Sequence, residues 1–235
     1  MKILVIGFPR SGTTLMYRII KQHPEMKLML FETNKMKNIG TQFEKQVDKI
    51  FPKGKNAGEK VIYEREIMGK LGSNSPSAVD YCKLWNNKFK EESIIIQIIR
   101  HPYDVWNSLL IKKYISRNKT NAIIKMQKKY FQYIPKYFER IAKFENCLTV
   151  KYEDLVLNSE VIIPKIYKHC GFEKINFSRN EQMRKGRVFS YKNKGFRIHD
   201  DRLINIKDDF MEVMKVNIEE CLKVLNKFQG VKYEK

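Results

Sequence analysis

The chain has 235 residues, and none of its apolar runs approaches the ~18–20 residues that a membrane-spanning helix needs. The longest such stretch, IIIQIIR at 94–100, ends in an arginine. No transmembrane segment is expected. A secretory leader is not expected either, because the N-terminal apolar run KILVIG stops at Gly7 with no longer apolar core or small-residue cleavage site behind it. The four cysteines, Cys82, Cys147, Cys170 and Cys221, form no C-x-x-C pair and show no metal-ligand spacing. They read as reduced thiols of a cytoplasmic protein. Low-complexity segments and internal repeats are absent as well.

What is present is ordinary globular composition, 43% hydrophobic and 12% aromatic, in a length that suits one domain spanning 1–235. A chain of this size buries roughly 70% of its extendable surface, so it folds without disulfides or a structural metal. The net charge of +20, from 46 Lys+Arg against 26 Asp+Glu, points to an anionic partner. The basic residues are spread along the whole chain, however, and most of them read as a solvated surface.

Strands and helices alternate along the sequence. Residues 2–7 read as a buried strand, followed by a loop and a helix from Thr13 to Gln22 that stops before His23-Pro24. A strand at 26–31, a helix at 41–51, a turn-rich loop at 51–58, a strand at 59–64 and a helix at 77–90 come next. The β-branched run at 92–100 predicts a central parallel strand covered on both sides. Helices follow at 103–116 and 121–144, the latter bent at Pro135. A strand at 147–155 runs into a loop, 159–170 is helical, 172–200 is irregular and basic, and a helix closes the chain at 206–228. The order implies an α/β fold in three layers, a central parallel sheet flanked by helices, with ligand chemistry at the carboxyl ends of the strands.

GFPRSGTT (7–14) lies between the first strand and the first helix, the setting of a phosphate-cradling loop. Gly7-x4-Gly12 matches the frame of the nucleotide-binding P-loop, but Thr13 stands where that loop has lysine and the positive charge sits at Arg10. The strand that would carry a Mg²⁺-binding acid ends in Arg100, which repels a metal and attracts a second anion. The pattern is that of a P-loop rebuilt to hold a nucleotide without metal.

PRSGTT after the first strand resembles the 5′-phosphosulfate loop of sulfotransferases that use 3′-phosphoadenosine 5′-phosphosulfate (PAPS). Arg100 and Ser108, in RHPYDVWNS, match the family's 3′-phosphate motif at its usual eight-residue separation. Tyr152 in VKYEDL matches the tyrosine that lies by the adenine in many members. Arg184-Lys185-Gly186, followed by Tyr191-Lys192-Asn193, resembles the RKG…W-K-N segment of the cytosolic branch, whose RKG also grips the 3′-phosphate. The resemblance runs from residue 7 to 193 and implies a P-loop NTPase-like fold and a PAPS-dependent sulfotransferase that requires no metal. Arg10, Ser11, Gly12, Thr13 and Thr14 would then form the 5′ cradle, and Arg100, Ser108, Arg184, Lys185 and Gly186 the 3′ cradle. Arginine suits both sites because its planar fork makes charge-assisted bidentate bonds to phosphate oxygens. Leu15 replaces the family's tryptophan after the two threonines and removes an aromatic contact to adenine.

The same resemblance supplies the candidates for catalysis, with Arg10 and Lys60 neutralising charge. Glu59-Lys60-Val61-Ile62 keeps the lysine of the cytosolic branch's K-T-H segment but has no histidine, so Lys60 is the expected contact to the sulfuryl group. Glu32-Thr33 stands after His23-Pro24 where the protein-tyrosine branch has its base, which makes Glu32 the candidate base, with Glu64 and His199 behind it. His23 and His101, beside prolines, read as capping or surface residues, and Trp85 and Trp106 as core. The acceptor class, whether small molecule, sugar, lipid or peptide, is not legible. Two other readings stay open at this point: a P-loop nucleotide kinase with an atypical loop, which needs Mg²⁺, and a basic nucleic-acid-binding module. The sulfotransferase reading implies no nucleic-acid partner.

Overall fold

Continuous β-branched runs bury on both sides, and here they build a sheet. In the computed structural model, residues 1–30, 51, 54–62, 77–102, 104–105, 135–173 and 221–230 are described. Among them are β1 (Lys2–Gly7), α1 (Thr13–Lys21), β2 (Leu28–Leu30), β3 (Ala57–Ile62), α2 (Ala78–Phe89), β4 (Ser93–Ile99), β5 (Cys147–Lys151), α3 (Tyr152–Leu157) and α4 (Ser159–His169). The strands pair in the order β2-β3-β1-β4-β5, every pair parallel. β1 is central: Lys2 aligns with Ala57 on one side and Ser93 on the other. The expected parallel α/β sheet is present.

Successive residues of β1 divide between two cores, as the two-residue period of a strand requires. Leu4 and Ile6 pack with Val79, Tyr81 and Trp85 of α2, with Phe138 and Ile141 in the helical stretch 135–142, and with Leu225. Ile3 and Val5 pack on the other face with Met16, Ile19 and Ile20 of α1, Leu155 of α3, and Ile163 and Ile166 of α4. Helices therefore cover both faces of the sheet. Trp85 is fully buried and its indole N–H donates to the Lys2 carbonyl, 3.3 Å. Ser77 opens α2 by accepting from the Asp80 amide, 3.2 Å.

Several expectations are corrected. β3 begins at Ala57 rather than 59. β5 runs directly into helix α3 instead of a loop, with Glu153 and Asp154 in that helix's first turn, where carboxylates favour a helix start. His23 is no surface residue: it is 2% exposed and its ring stacks on Phe172 at 4.2 Å. Its Nδ1 accepts from the Glu25 amide at 3.3 Å, so Nε2 donates to the Glu173 carbonyl at 3.2 Å. The helices expected at 41–51 and 103–116, the irregular stretch after 173, and Trp106 lie wholly or largely outside the described residues.

All four cysteines are free thiols. Burial pushes the thiols of Cys147 and Cys170 up to about 12, so they stay protonated and unreactive. Among the described residues no helix is long and apolar enough to cross a membrane.

Candidate active site

The loop between β1 and α1 is shaped by two left-handed residues, Arg10 with φ 73° and Gly12 with φ 103°. Ser11 lies between them, fully buried, with its hydroxyl (2.6 Å) and its amide (3.0 Å) both donating to the Phe8 carbonyl. The Ser11 side chain thus shapes the loop from inside. Gly12 is the N-cap of α1, no side chain caps the helix, and the first turn carries no acid. The first helical acceptor, the Gly12 carbonyl, serves Leu15 and Met16. The amides of Thr13 and Thr14 are among those that a helix start leaves for an outside acceptor, and the helix dipole favours an anion there.

Two strand ends bring cations to this loop. Lys60, on β3 opposite Val5, is 1% exposed and reaches across to donate from Nζ to the Thr14 hydroxyl oxygen at 3.1 Å. Arg100 follows β4 and is 8% exposed; its Nη1 donates to the Arg10 carbonyl at 3.1 Å. Its Nη2 lies 3.5 Å from Asp104 Oδ2, one helical turn on. The guanidinium carbon lies over the Tyr152 ring, 4.5 Å from its centroid, a contact worth about 0.5–2 kcal/mol. That same ring lies against Gly12: a Cβ built there would overlap Tyr152 Cδ2.

The structure thus brings Arg10, Gly12, Thr14, Lys60, Arg100 and Tyr152 together at the carboxyl ends of β1, β3, β4 and β5, although they are scattered over the sequence. Glu32, Glu64, Ser108, Arg184, Lys185, Gly186 and His199 lie outside the described residues. Sequence reasoning missed two contributors. Asp104 was recoverable from its i,i+4 spacing to Arg100 across the Pro102 helix start. Glu153, 2% exposed, accepts the His101 amide at 2.9 Å and fixes the chain just after Arg100; nothing in the sequence signals this contact. Away from the loop, Tyr81 donates to buried Glu59 at 2.8 Å, and burial and the carboxylate together hold the phenol well above its ordinary pKa.

A parallel sheet whose first strand feeds a doubly left-handed loop and an uncapped helix start, with buried Lys60 and Arg100 beside it, defines a P-loop-like α/β protein. Over residues 2–66 and 70–176 the chain matches the sulfotransferase family, and it belongs to that family. It is a transferase of the sulfotransferase class. Among solved structures it is similar to a sulfotransferase from Alicyclobacillus acidocaldarius, at 11% identity and TM-score 0.58, covering 96% of this chain and 94% of that one. It is also similar to mouse sulfotransferase SULT7A1 complexed with PAP, at 14% identity and TM-score 0.56, covering 94% of this chain and 84% of that one. At such identities the likeness is one of fold. No curated protein matches the chain.

Proposed function

We propose that the protein moves the sulfuryl group of PAPS to an acceptor hydroxyl or amine and releases adenosine 3′,5′-bisphosphate. One observation carries this reading: the Arg10–Gly12 loop and the Arg100 side chain meet through the Arg10 carbonyl and the Tyr152 ring. These contacts support a reading with two cationic cradles about one aromatic platform, which is what a nucleotide bearing anions at both ends requires. The PAP bound to the mouse relative is the abbreviated name of the product that this reaction would leave.

In this mechanism the amides of Thr13 and Thr14 and the Arg10 guanidinium hold the 5′ phosphosulfate. Arg100 holds the 3′-phosphate, joined by Ser108 and by Arg184-Lys185-Gly186, and Tyr152 packs on the adenine. Lys60, whose amine donates to the Thr14 hydroxyl, would meet the charge that grows on the bridging oxygen as the S–O bond lengthens. Sulfuryl transfer resembles in-line phosphoryl transfer, so positioning and charge neutralisation do most of the work. The acceptor's proton passes to Glu32, on the segment after β2. Free thiols at all four cysteines fit a reducing cytoplasm as the working compartment.

Calorimetry without metal provides the direct test. Adenosine 3′,5′-bisphosphate should bind at least tenfold more tightly than ATP, a difference of about 1.4 kcal/mol that one charged hydrogen bond readily supplies. Tighter binding of ATP, and only with Mg²⁺, would overturn the reading in favour of a kinase. The base has its own test. Glu32→Gln should lower turnover by ~10²–10⁴-fold while leaving nucleotide affinity unchanged. Turnover within a few-fold of wild type would remove Glu32 from that role.

A further inference from the structure

We infer that Arg100 braces the 5′ loop as well as binding the 3′-phosphate, so that a single guanidinium couples the two anion cradles. The inference deepens the sulfotransferase reading and takes its naming of the two cradles from it. Arg10 holds φ 73°, a left-handed conformation that disfavours any residue with a Cβ. Such a conformation persists only where the surroundings over-determine it. Here the Arg10 carbonyl accepts a charged hydrogen bond from Arg100, which is itself 8% exposed.

The brace is anchored on three further sides. Asp104 lies 3.5 Å from Nη2, the Tyr152 ring lies under the guanidinium carbon, and Glu153 accepts from the next main-chain amide at 2.9 Å. Tyr152 continues the contact to Gly12, so Arg100 touches the loop through its carbonyl and through the ring behind it. A guanidinium carries five N–H donors, enough to keep the Arg10 bond while meeting a phosphate. Two consequences follow. A nucleotide lacking a 3′-phosphate still depends on Arg100, because the loop that cradles its 5′ group depends on it. A 3′-phosphate that orders Arg100 also firms the 5′ cradle, and by linkage a 5′ anion strengthens the 3′ site by the same factor. Toward the 5′ group Arg100 is a positioning residue.

The test uses the full chain with Arg100→Lys and Arg100→Gln. A lysine keeps the charge for the 3′-phosphate but lacks the planar fork that reaches the carbonyl. Hydrogen–deuterium exchange is followed without ligand in the peptide covering 7–14 and in β4 as a reference. Affinities are measured for adenosine 5′-phosphate and adenosine 3′,5′-bisphosphate. In both variants the loop amides should exchange about tenfold faster with β4 unchanged, and adenosine 5′-phosphate should bind about tenfold more weakly, the scale of a direct coupling. Unchanged loop exchange with adenosine 5′-phosphate affinity within twofold would overturn the brace, even if the bisphosphate is lost. Exchange rising equally in β4 would overturn it too, since the effect would then be general loosening. If wild type itself does not prefer the bisphosphate to the monophosphate, the 3′ assignment of the proposed function fails, while the exchange result still decides the brace.

Discussion

Gly12→Ala is expected to abolish turnover and to lower Tm by roughly 4–20 °C, at about 2–4 °C per kcal/mol for a chain of this size. Two costs combine. An alanine held at φ 103° loses about 1–2 kcal/mol. Its Cβ would overlap Tyr152 Cδ2, and a ring also packed under Arg100 yields only with an overpacking cost of about 1–3 kcal/mol. The ring or the loop must shift, and either movement displaces the amides of Thr13 and Thr14. Gly54→Ala is the control, because Gly54 has φ 73° and nothing within 4 Å of its added carbon. It should show the backbone cost alone, with activity intact. Thermal melts and assays of the two variants decide the matter: equal losses in both would mean that the Tyr152 ring does not press on the loop.

Lys60→Met should separate catalysis from stability. The side chain is 1% exposed, and methionine keeps most of its packing while removing the amine that donates to Thr14. Leaving a buried partner unsatisfied costs about 1–3 kcal/mol, so Tm is expected to fall by only roughly 2–12 °C. Turnover should fall by about 10²–10³-fold, the usual effect of losing one donor aimed at charge that develops in the transition state. Affinity for adenosine 3′,5′-bisphosphate should fall as well, because the oxygen that takes up the charge leaves with the nucleotide and stays on its 5′-phosphate. Thr14→Val supplies the comparison, since it removes only the oxygen that receives the Lys60 hydrogen bond at 3.1 Å. If Lys60→Met matched Thr14→Val in both turnover and product affinity, the lysine would be no more than a tie between β3 and α1.

The sequence made β1 and α1 legible because their signals are local. An apolar run ends at Gly7, and a glycine stands just ahead of the Thr13 helix start. β4 was equally plain, since a β-branched run has little else to become. β3 was read two residues short because Ala57-Gly58 looks like loop, yet Gly58 lies beside Ile3 with room for no side chain. Helix α3 was missed because Tyr152 ends one β-favouring stretch and starts a helix of only 6 residues. His23 was misread because nothing near it in sequence reveals Phe172, which stacks on it. In the candidate site, residue identities were legible and their contacts were not. The family resemblance assigned Arg10 and Arg100 to separate cradles and Tyr152 to the adenine. That Arg100 holds the Arg10 carbonyl and that Tyr152 lies on Gly12 are facts of long-range packing, which no local pattern encodes.

The position of β1 bears on how the chain assembles. Both of its neighbours, β3 and β4, are made later in synthesis, so β1 emerges with two open edges. An apolar strand with unpaired edges is a template for wrong partners. β1 is satisfied on its second side only when residues 93–99 have arrived, and parallel pairing across such separations is slow because loop closure comes before contact. The loop at 8–14 hangs from that strand. The anion cradle is therefore among the earliest segments synthesised and among the last to take shape, and a nascent chain stopped before β4 would carry the loop sequence without the Arg100 contact that holds it.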